Sequence, residues 1–271
     1  MNGFLEDLKG SFGILSNADV MSYLLRGLMF TLIISVIAIV FSLLLGVALA
    51  LARNYCTRGP ARVLQKMASI YIELFRNTPL MLWMFVCFVM CPAPAVSKSF
   101  AEMLGMSSTV AVKTLFKAIV ALTLFTSAIM AEIIRGGIIS VDKGQKEAAH
   151  AIGMTHWQTM VSVVLPQAVR NIMPSIGNEF VVNIKDSSVL NVISVNELFF
   201  MSKSAAGTYL RYFEVFFITA CIYLVLTFTV TRLLRLLERR MDGKTNYIIY
   251  GSQSDSKASI VVPKEGGVPN D

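Results

Sequence analysis

Charge is what this sequence has least of. Of its 271 residues only 15% are Asp, Glu, Lys or Arg, while 55% are apolar. An ordinary soluble domain carries about 25% charged and about 45–50% apolar residues. The missing charge is not spread evenly. Residues 27–52 form a run of 26 without one ionisable side chain. As a helix that run reaches ~39 Å, beyond the ~30 Å hydrocarbon core of a bilayer. A soluble globular domain, a secreted disulfide scaffold and a disordered chain are thereby excluded. The formal net charge of +7 does not call for nucleic acid, because the positive residues sit beside apolar runs, where membrane topology accounts for them.

Other absences narrow the field further. The N-terminus carries Glu6 and Asp7 with no basic region against an apolar core. The first apolar stretch also far exceeds the roughly 7–15 residues of a signal-peptide core, so it reads as a retained span. There are 4 cysteines, and Cys87 and Cys91 are four apart on one helix face. No histidine or further cysteine lies near them, and buried thiols are the commoner case over a metal pair. A full phosphate-binding loop, G-x4-G-K-[ST], is missing: Gly243-Lys244-Thr245 matches its end, but Glu238 stands at the first glycine. No nucleophile–base–orienter set is present either, so no catalytic, cofactor or metal site is expected.

What is there is apolar sequence in five segments, at about 23–52, 67–91, 110–134, 166–195 and 212–234. The period-2 alternation of membrane strands is absent, so the fold expected is an all-α polytopic bundle. Arg53, Arg58, Arg62 and Lys66 lie between the first two segments, and Arg232, Arg235, Arg239, Arg240 and Lys244 follow the core of the fifth. The connection from Arg135 to Arg170 adds four basic residues, whereas the other two connections hold only Lys98, and Lys203 with Arg211. The positive-inside rule then gives five transmembrane helices with the N-terminus outside and the C-terminus in the cytoplasm. Residues 154–169 are a further charge-free run, too short for a span, and counting it would invert the topology after it. The domain reading is an outer segment at 1–22, a membrane domain at 23–240 with a cytoplasmic loop at about 136–165, and a flexible tail at 241–271.

That loop is far longer than two neighbouring helices need, which points to a task of its own. Asp142 is placed to cap a first short helix, with Gln145 in capping-box position, and Gly153 ends it where a left-handed residue is wanted. Thr155 and Gln158 start a second in the same way. Glu147 lies early in the first helix, and Ala148 and Ala149 beside it let another surface approach closely. A helix–glycine–helix of this kind suits docking into a partner's groove. The bland alternative is that it only ties two spans together. His150 and His156 fall in the same loop and read as surface histidines.

Glu147-Ala148-Ala149, Gly153, and Leu165-Pro166, with Val163 in an isoleucine place, resemble the EAA loop of ABC importer permeases. Glu73-Leu74-Phe75-Arg76-Asn77-Thr78-Pro79 resembles the E-x-F-R-G-T-P segment of the polar amino-acid permeases, with Trp83 where those proteins often carry Gln. Gly177-Asn178-Glu179-Phe180 and Lys185-Asp186-Ser187-Ser188 resemble two further stretches of that family. The likeness spans about residues 24–240. It implies a bacterial inner-membrane subunit that forms a pathway with a second permease subunit, identical or not. It also implies coupling through Glu147, Ala148, Ala149, Gly153, Leu165 and Pro166 to a separate cytoplasmic ABC ATPase, and an extracytoplasmic solute-binding protein that delivers the amino acid.

The remaining charges lie within the spans, where they are costly and face a cavity or a partner. Glu73 with Arg76, and Glu132 with Arg135, are spaced for local ion pairs. Pro174, Gly177, Asn178, Glu179, Lys185 and Asp186 cluster in the fourth segment, which predicts an interrupted helix bordering a path. Asn178, Glu179, Lys185, Asp186 and Ser187, joined by Arg76, Asn77 and Thr78, are the pathway candidates for an amino acid's carboxylate and ammonium. Equally open is a reading in which Glu179 and Lys185–Asp186 hold two subunits together. The rival function is a stand-alone ion-coupled carrier using Glu179, Lys185 and Asp186; a membrane enzyme comes third.

Overall fold

Asn17 opens the first helix by accepting hydrogen bonds from the amides of Asp19 and Val20, and α1 then runs uninterrupted over Ala18–Tyr55. Its buried stripe is built from small residues: Gly27, Thr31, Ser35, Ala38, Ser42, Gly46 and Ala50. Such a stripe lets helix backbones approach where lipid supplies no hydrophobic drive between them. The partner along most of its length is α5 (Thr109–Ser140), capped by Ser108. Ser42 donates to the Thr123 carbonyl at 3.1 Å, and a Cβ on Gly46 would come within 2.6 Å of Met130 Cβ.

The computed structural model describes residues 13, 17–56, 59–103, 108–242, 248–250 and 259–261. Between α1 and α5 a short 3-10 turn leads into α2 (Arg62–Arg76) and α3 (Leu80–Met90), followed by the one-and-a-half-turn α4 (Lys98–Met103). After α5 come α6 (Lys143–Ala151), α7 (His156–Thr159), a π-helical turn (Met160–Val164) and α8 (Leu165–Asp186). A 3-10 segment (Ser187–Ile193), α9 (Leu198–Tyr209) and α10 (Tyr212–Asp242) complete the bundle. In the tail, β1 (Ile248–Tyr250) and β2 (Ser259–Val261) pair antiparallel. Residues 1–22 apart from 13 and 17–22, Arg58, and Gly243-Lys244-Thr245 with most of the 241–271 stretch lie outside the described residues.

Among the described residues three helices, α1, α5 and α10, are long and apolar enough to cross a membrane; α2 and α3 add a fourth candidate if they count as one bent span. The five segments of the sequence therefore map onto unequal elements. The second is bent by 116° at Asn77–Pro79. Asn77 ends α2 with its amide on the Glu73 carbonyl, and Pro79, extended at φ −63° and ψ 138°, starts α3. Neither half spans a bilayer: 11 residues of α3 reach only ~16 Å.

Side chains pin the bend. The rings of Tyr71, Phe75 and Trp83 pack in series, Tyr71 tilted against Phe75 at 4.5 Å and Phe75 stacked on Trp83 at 4.1 Å. Trp83 Nε1 donates to Thr78 Oγ1 at 2.5 Å, and Thr78 Oγ1 to the Leu74 carbonyl at 2.6 Å. The indole thus makes a polar contact at this position. At the far end of α3, Lys117 of α5 donates to the Phe88 carbonyl at 2.6 Å, which satisfies one of that helix's orphan acceptors and explains a lysine inside an apolar helix.

The fourth segment departs from expectation. Pro174 does not break it, and α8 runs through to Asp186. The interruption falls later, in the 3-10 segment that ends at Ser194 in a left-handed conformation (φ 58°).

Candidate functional site

The projecting loop forms as its capping residues dictate. Asp142 accepts the Gly144 amide at 2.6 Å and begins α6. Gly153 takes a φ of +87°, a conformation that L-residues rarely adopt, so the chain reverses there at no steric cost. Thr155 and Gln158 form a full reciprocal capping box. The second helix is not separate, however: α7 passes through the π turn directly into α8, so the loop and the fourth segment are one rod.

Glu147, Ala148, Gly153, Leu165 and Pro166 are all exposed on this loop. Ala149 is buried within the chain, so its small side chain serves the loop's own packing rather than an outer surface. Ile152 at 79% and Trp157 at 75% exposure are the prominent apolar side chains of the loop. Sequence reasoning passed over both. The available signal was two large apolar residues between polar ones in a capped, solvent-directed hairpin. His150 and His156 stack with ring centroids 6.4 Å apart.

The charges of the fourth segment divide between two faces. Asn178 and Lys185, seven apart, share the face that meets α10. Asn178 lines a cavity of about 230 Å³ with Arg235 and Glu238. Lys185 and Ser188 line one of about 490 Å³ walled by Phe199, Phe216 and Tyr223. Glu179, Asn183 and Ser187 turn into the bundle and are buried. Asn183 Nδ2 donates to Thr126 Oγ1 of α5 at 3.0 Å. Asp186 is half-buried at the end of α8.

Arg76 does not pair with Glu73. It reaches Glu132 of α5, with Nη1 at 3.6 Å from Oε1. The Glu132–Arg135 pair forms as the spacing predicts, Nε to Oε2 at 2.8 Å, and Arg53 at the end of α1 donates to Glu132 Oε1 as well. The spacing rule identifies side chains that can meet, and a third helix offering a closer carboxylate decides the matter for Arg76.

Glu197 is a buried acid absent from the sequence-based candidates, lying in the connection before α9. It caps that helix, accepting the Phe199 amide at 2.8 Å and the Phe200 amide at 2.6 Å, and takes the Tyr223 hydroxyl at 3.2 Å. Thr31 of α1 accepts the preceding amide, that of Leu198, at 3.1 Å. Burial pushes the Glu197 carboxyl up to about 7, against the lowering pull of its amide and hydroxyl donors. An acid directly before the apolar run Leu198-Phe199-Phe200 was the readable sign of a cap.

A bundle of long apolar helices, with an exposed, doubly capped hairpin continuous with α8, defines a multi-pass membrane protein. The chain belongs to the family of binding-protein-dependent transport system inner membrane components, whose pattern matches residues 42–243. It is 35% identical over 224 residues to the probable glutamine ABC transporter permease protein GlnM of Bacillus subtilis (strain 168), covering 83% of this chain and 95% of that one. It is 33% identical over 221 residues to the arginine transport system permease protein ArtQ of the same organism, covering 82% and 93%. The crystal structure of an amino acid ABC transporter with histidines superposes with a TM-score of 0.70 at 35% identity, over 83% of this chain and 97% of that one. These likenesses make the chain an ABC importer permease and disfavour the stand-alone carrier. Permease subunits of this family are not themselves catalytic, and the family works with ATPase and solute-binding partners.

Proposed function

We propose that this chain is the membrane-spanning subunit through which a polar amino acid enters a bacterial cell, in the inner membrane, at the expense of ATP hydrolysed by a separate cytoplasmic subunit. It crosses the membrane five times, N-terminus outside and C-terminus inside, the spans being α1, the bent α2–α3 pair, α5, α8 with its 3-10 extension, and α10. A second permease copy, identical or related, completes the pathway, and an outer solute-binding protein loads it. The relatives named for glutamine and arginine support a polar amino acid as cargo. Residues 1–22 and 241–271 are an outer segment and a cytoplasmic tail.

The observation that carries this reading is the exposed hairpin: Glu147, Ala148, Gly153, Leu165 and Pro166 on a capped loop that continues as α8. Ile152 and Trp157 fill the partner's groove, and Ala149 keeps the hairpin closed. Asn178, Lys185 and Asp186 border the path, with Glu179 and Ser187 behind them and Asn77 and Thr78 at the bend. Glu179 is buried inside one chain, which favours an intramolecular role over holding two subunits together. Reconstitution in liposomes tests the whole. Uptake of a polar amino acid that requires the ATPase, ATP and the binding protein supports the reading; uptake by this chain alone, driven by an ion gradient, refutes it.

A further inference from the structure

Glu132 meets three guanidinium groups, each from a different stretch of the chain. Arg53 stands in the last turn of α1, Arg76 is the last residue of α2, and Arg135 lies one turn along α5 from Glu132 itself. Arg53 and Arg76 share Oε1, and Arg135 takes Oε2. The Arg53 carbonyl also accepts from Gln65 Nε2 of α2 at 3.0 Å, a second tie between the same elements. One carboxylate thus faces three cations, a local surplus of two positive charges. The site is half-sheltered: side-chain exposure is 16% for Glu132 and 26%, 49% and 37% for Arg53, Arg76 and Arg135.

The position of this cluster is what gives it a use. Arg76 immediately precedes Asn77-Thr78-Pro79, where the second segment bends by 116°. Glu132 stands about two turns before the end of α5, and α5 leads through Val141 and Asp142 into α6, the first helix of the docking hairpin. A stiff helix therefore connects the hairpin to the carboxylate, and the carboxylate holds the bend.

We infer that Glu132 is a positioning residue that transmits movement of the docking hairpin to the α2–α3 bend, by holding Arg53 and Arg76 against α5. This rests on the importer reading. Its distinctive feature is charge balance. Removing the carboxylate does more than delete one contact, because it leaves three like charges with nothing to hold them together. Removing Arg76 as well relieves part of that repulsion but leaves the bend without its tie to α5.

The experiment uses the full assembly in proteoliposomes, permease with ATPase and binding protein, and reads amino acid moved per ATP hydrolysed. Glu132→Gln is expected to leave assembly and ATP hydrolysis in place and to lower that ratio about tenfold, within the usual span of coupling between sites. Glu132→Asp, which keeps the charge, is expected to recover most of it, whereas Glu132→Gln/Arg76→Gln, in which the tie to the bend is still missing, is expected to stay low. A wild-type ratio in Glu132→Gln overturns the inference, as does a double variant that regains the wild-type ratio, since repulsion and not the lost tie would then have lowered it. Should Glu132→Gln fail to assemble, Arg76→Gln alone decides: it leaves Arg53 and Arg135 on the carboxylate but frees the bend, and a wild-type ratio there overturns the inference equally. An intact wild-type assembly that moves no amino acid refutes the importer reading instead, and the inference falls with it.

Discussion

Replacing Gly153 isolates the backbone of the docking hairpin from every other influence on it. The residue sits at φ +87°, and a Cβ added there would meet nothing within 4 Å. Side-chain volume is therefore free, and only the left-handed conformation is penalised. For an ordinary L-residue that penalty is about 1–2 kcal/mol, a factor of about 5–30 in an equilibrium. Asparagine visits this conformation readily, and a β-branched residue least of all. If the ATPase docks only on the closed hairpin, the apparent dissociation constant rises in inverse proportion to the fraction of hairpin that stays closed. The factor of about 30 is then a ceiling, reached when the turn is marginal. The assay is binding of the purified ATPase subunit to the permease in nanodiscs, for Gly153→Asn, Gly153→Ala and Gly153→Val. Affinity should fall in that order, with Asn within about twofold of wild type. Two results refute the reasoning. Val binding as tightly as Gly would mean that the turn does not present the docking surface. Asn and Val binding equally badly would mean that a side chain at this position collides with the partner.

Three further outcomes follow from other sites. Gly27→Leu drives a Cβ to 2.8 Å from the Leu198 Cα, backbone that cannot give way, and should cost about 1–3 kcal/mol as overpacking does. Thermal unfolding in detergent reads it, with Gly136→Ala, whose Cβ meets nothing, as the control that should melt no lower than wild type, alanine being the better helix former. Lys117→Met removes the donor from the Phe88 carbonyl, so the end of α3 should fray and the thiol of Cys91 label faster; an unchanged rate would show that the bond does not hold the helix. Glu197 titrates near 7 when folded, from an ordinary value of 4.5. Its raised pKa favours the folded state fully below pH 4.5 and that contribution is lost as pH rises through about 7, an effect of order 3 kcal/mol for a fully buried carboxyl. Melting temperature should fall between pH 5 and 8 in wild type and stay flatter in Glu197→Gln; parallel curves would refute it.

Local chemistry was legible in the sequence wherever a few neighbouring residues settle the outcome. The caps at Asp142 and Thr155, the reversal at Gly153 and the Glu132–Arg135 pair each depend on side chains within four positions, and each stands where the spacing puts it. Contacts between distant segments were not legible in the same way. Nothing near Arg76 announces that Glu132, 56 positions on, will offer a better-placed carboxylate than Glu73. Nor does the run from Asn77 say through what angle the chain turns, because Pro79 ends one helix and starts another without fixing their relative direction. Pro174 illustrates the converse error. A proline in a polar stretch reads as a break, yet neighbouring helices hold α8 continuous through it, and the interruption falls at Ser187, where the residues give no warning beyond a run of serines and an asparagine.

The π turn at Met160–Val164 fixes the phase of the machine. Successive residues of an α-helix step by about 100° around the axis, and a π turn accommodates one residue more than the α-helical ladder would. It therefore sets the angle at which Trp157, on one side of the turn, stands relative to Asn178 and Lys185 on the other. Were one residue of that turn deleted, every backbone bond in the rod could still form, yet the hairpin would face about 100° away from its present bearing on α8. One surplus residue in an otherwise regular helix thus acts as the keyway that sets which way Asn178 and Lys185 face for a given bearing of the hairpin.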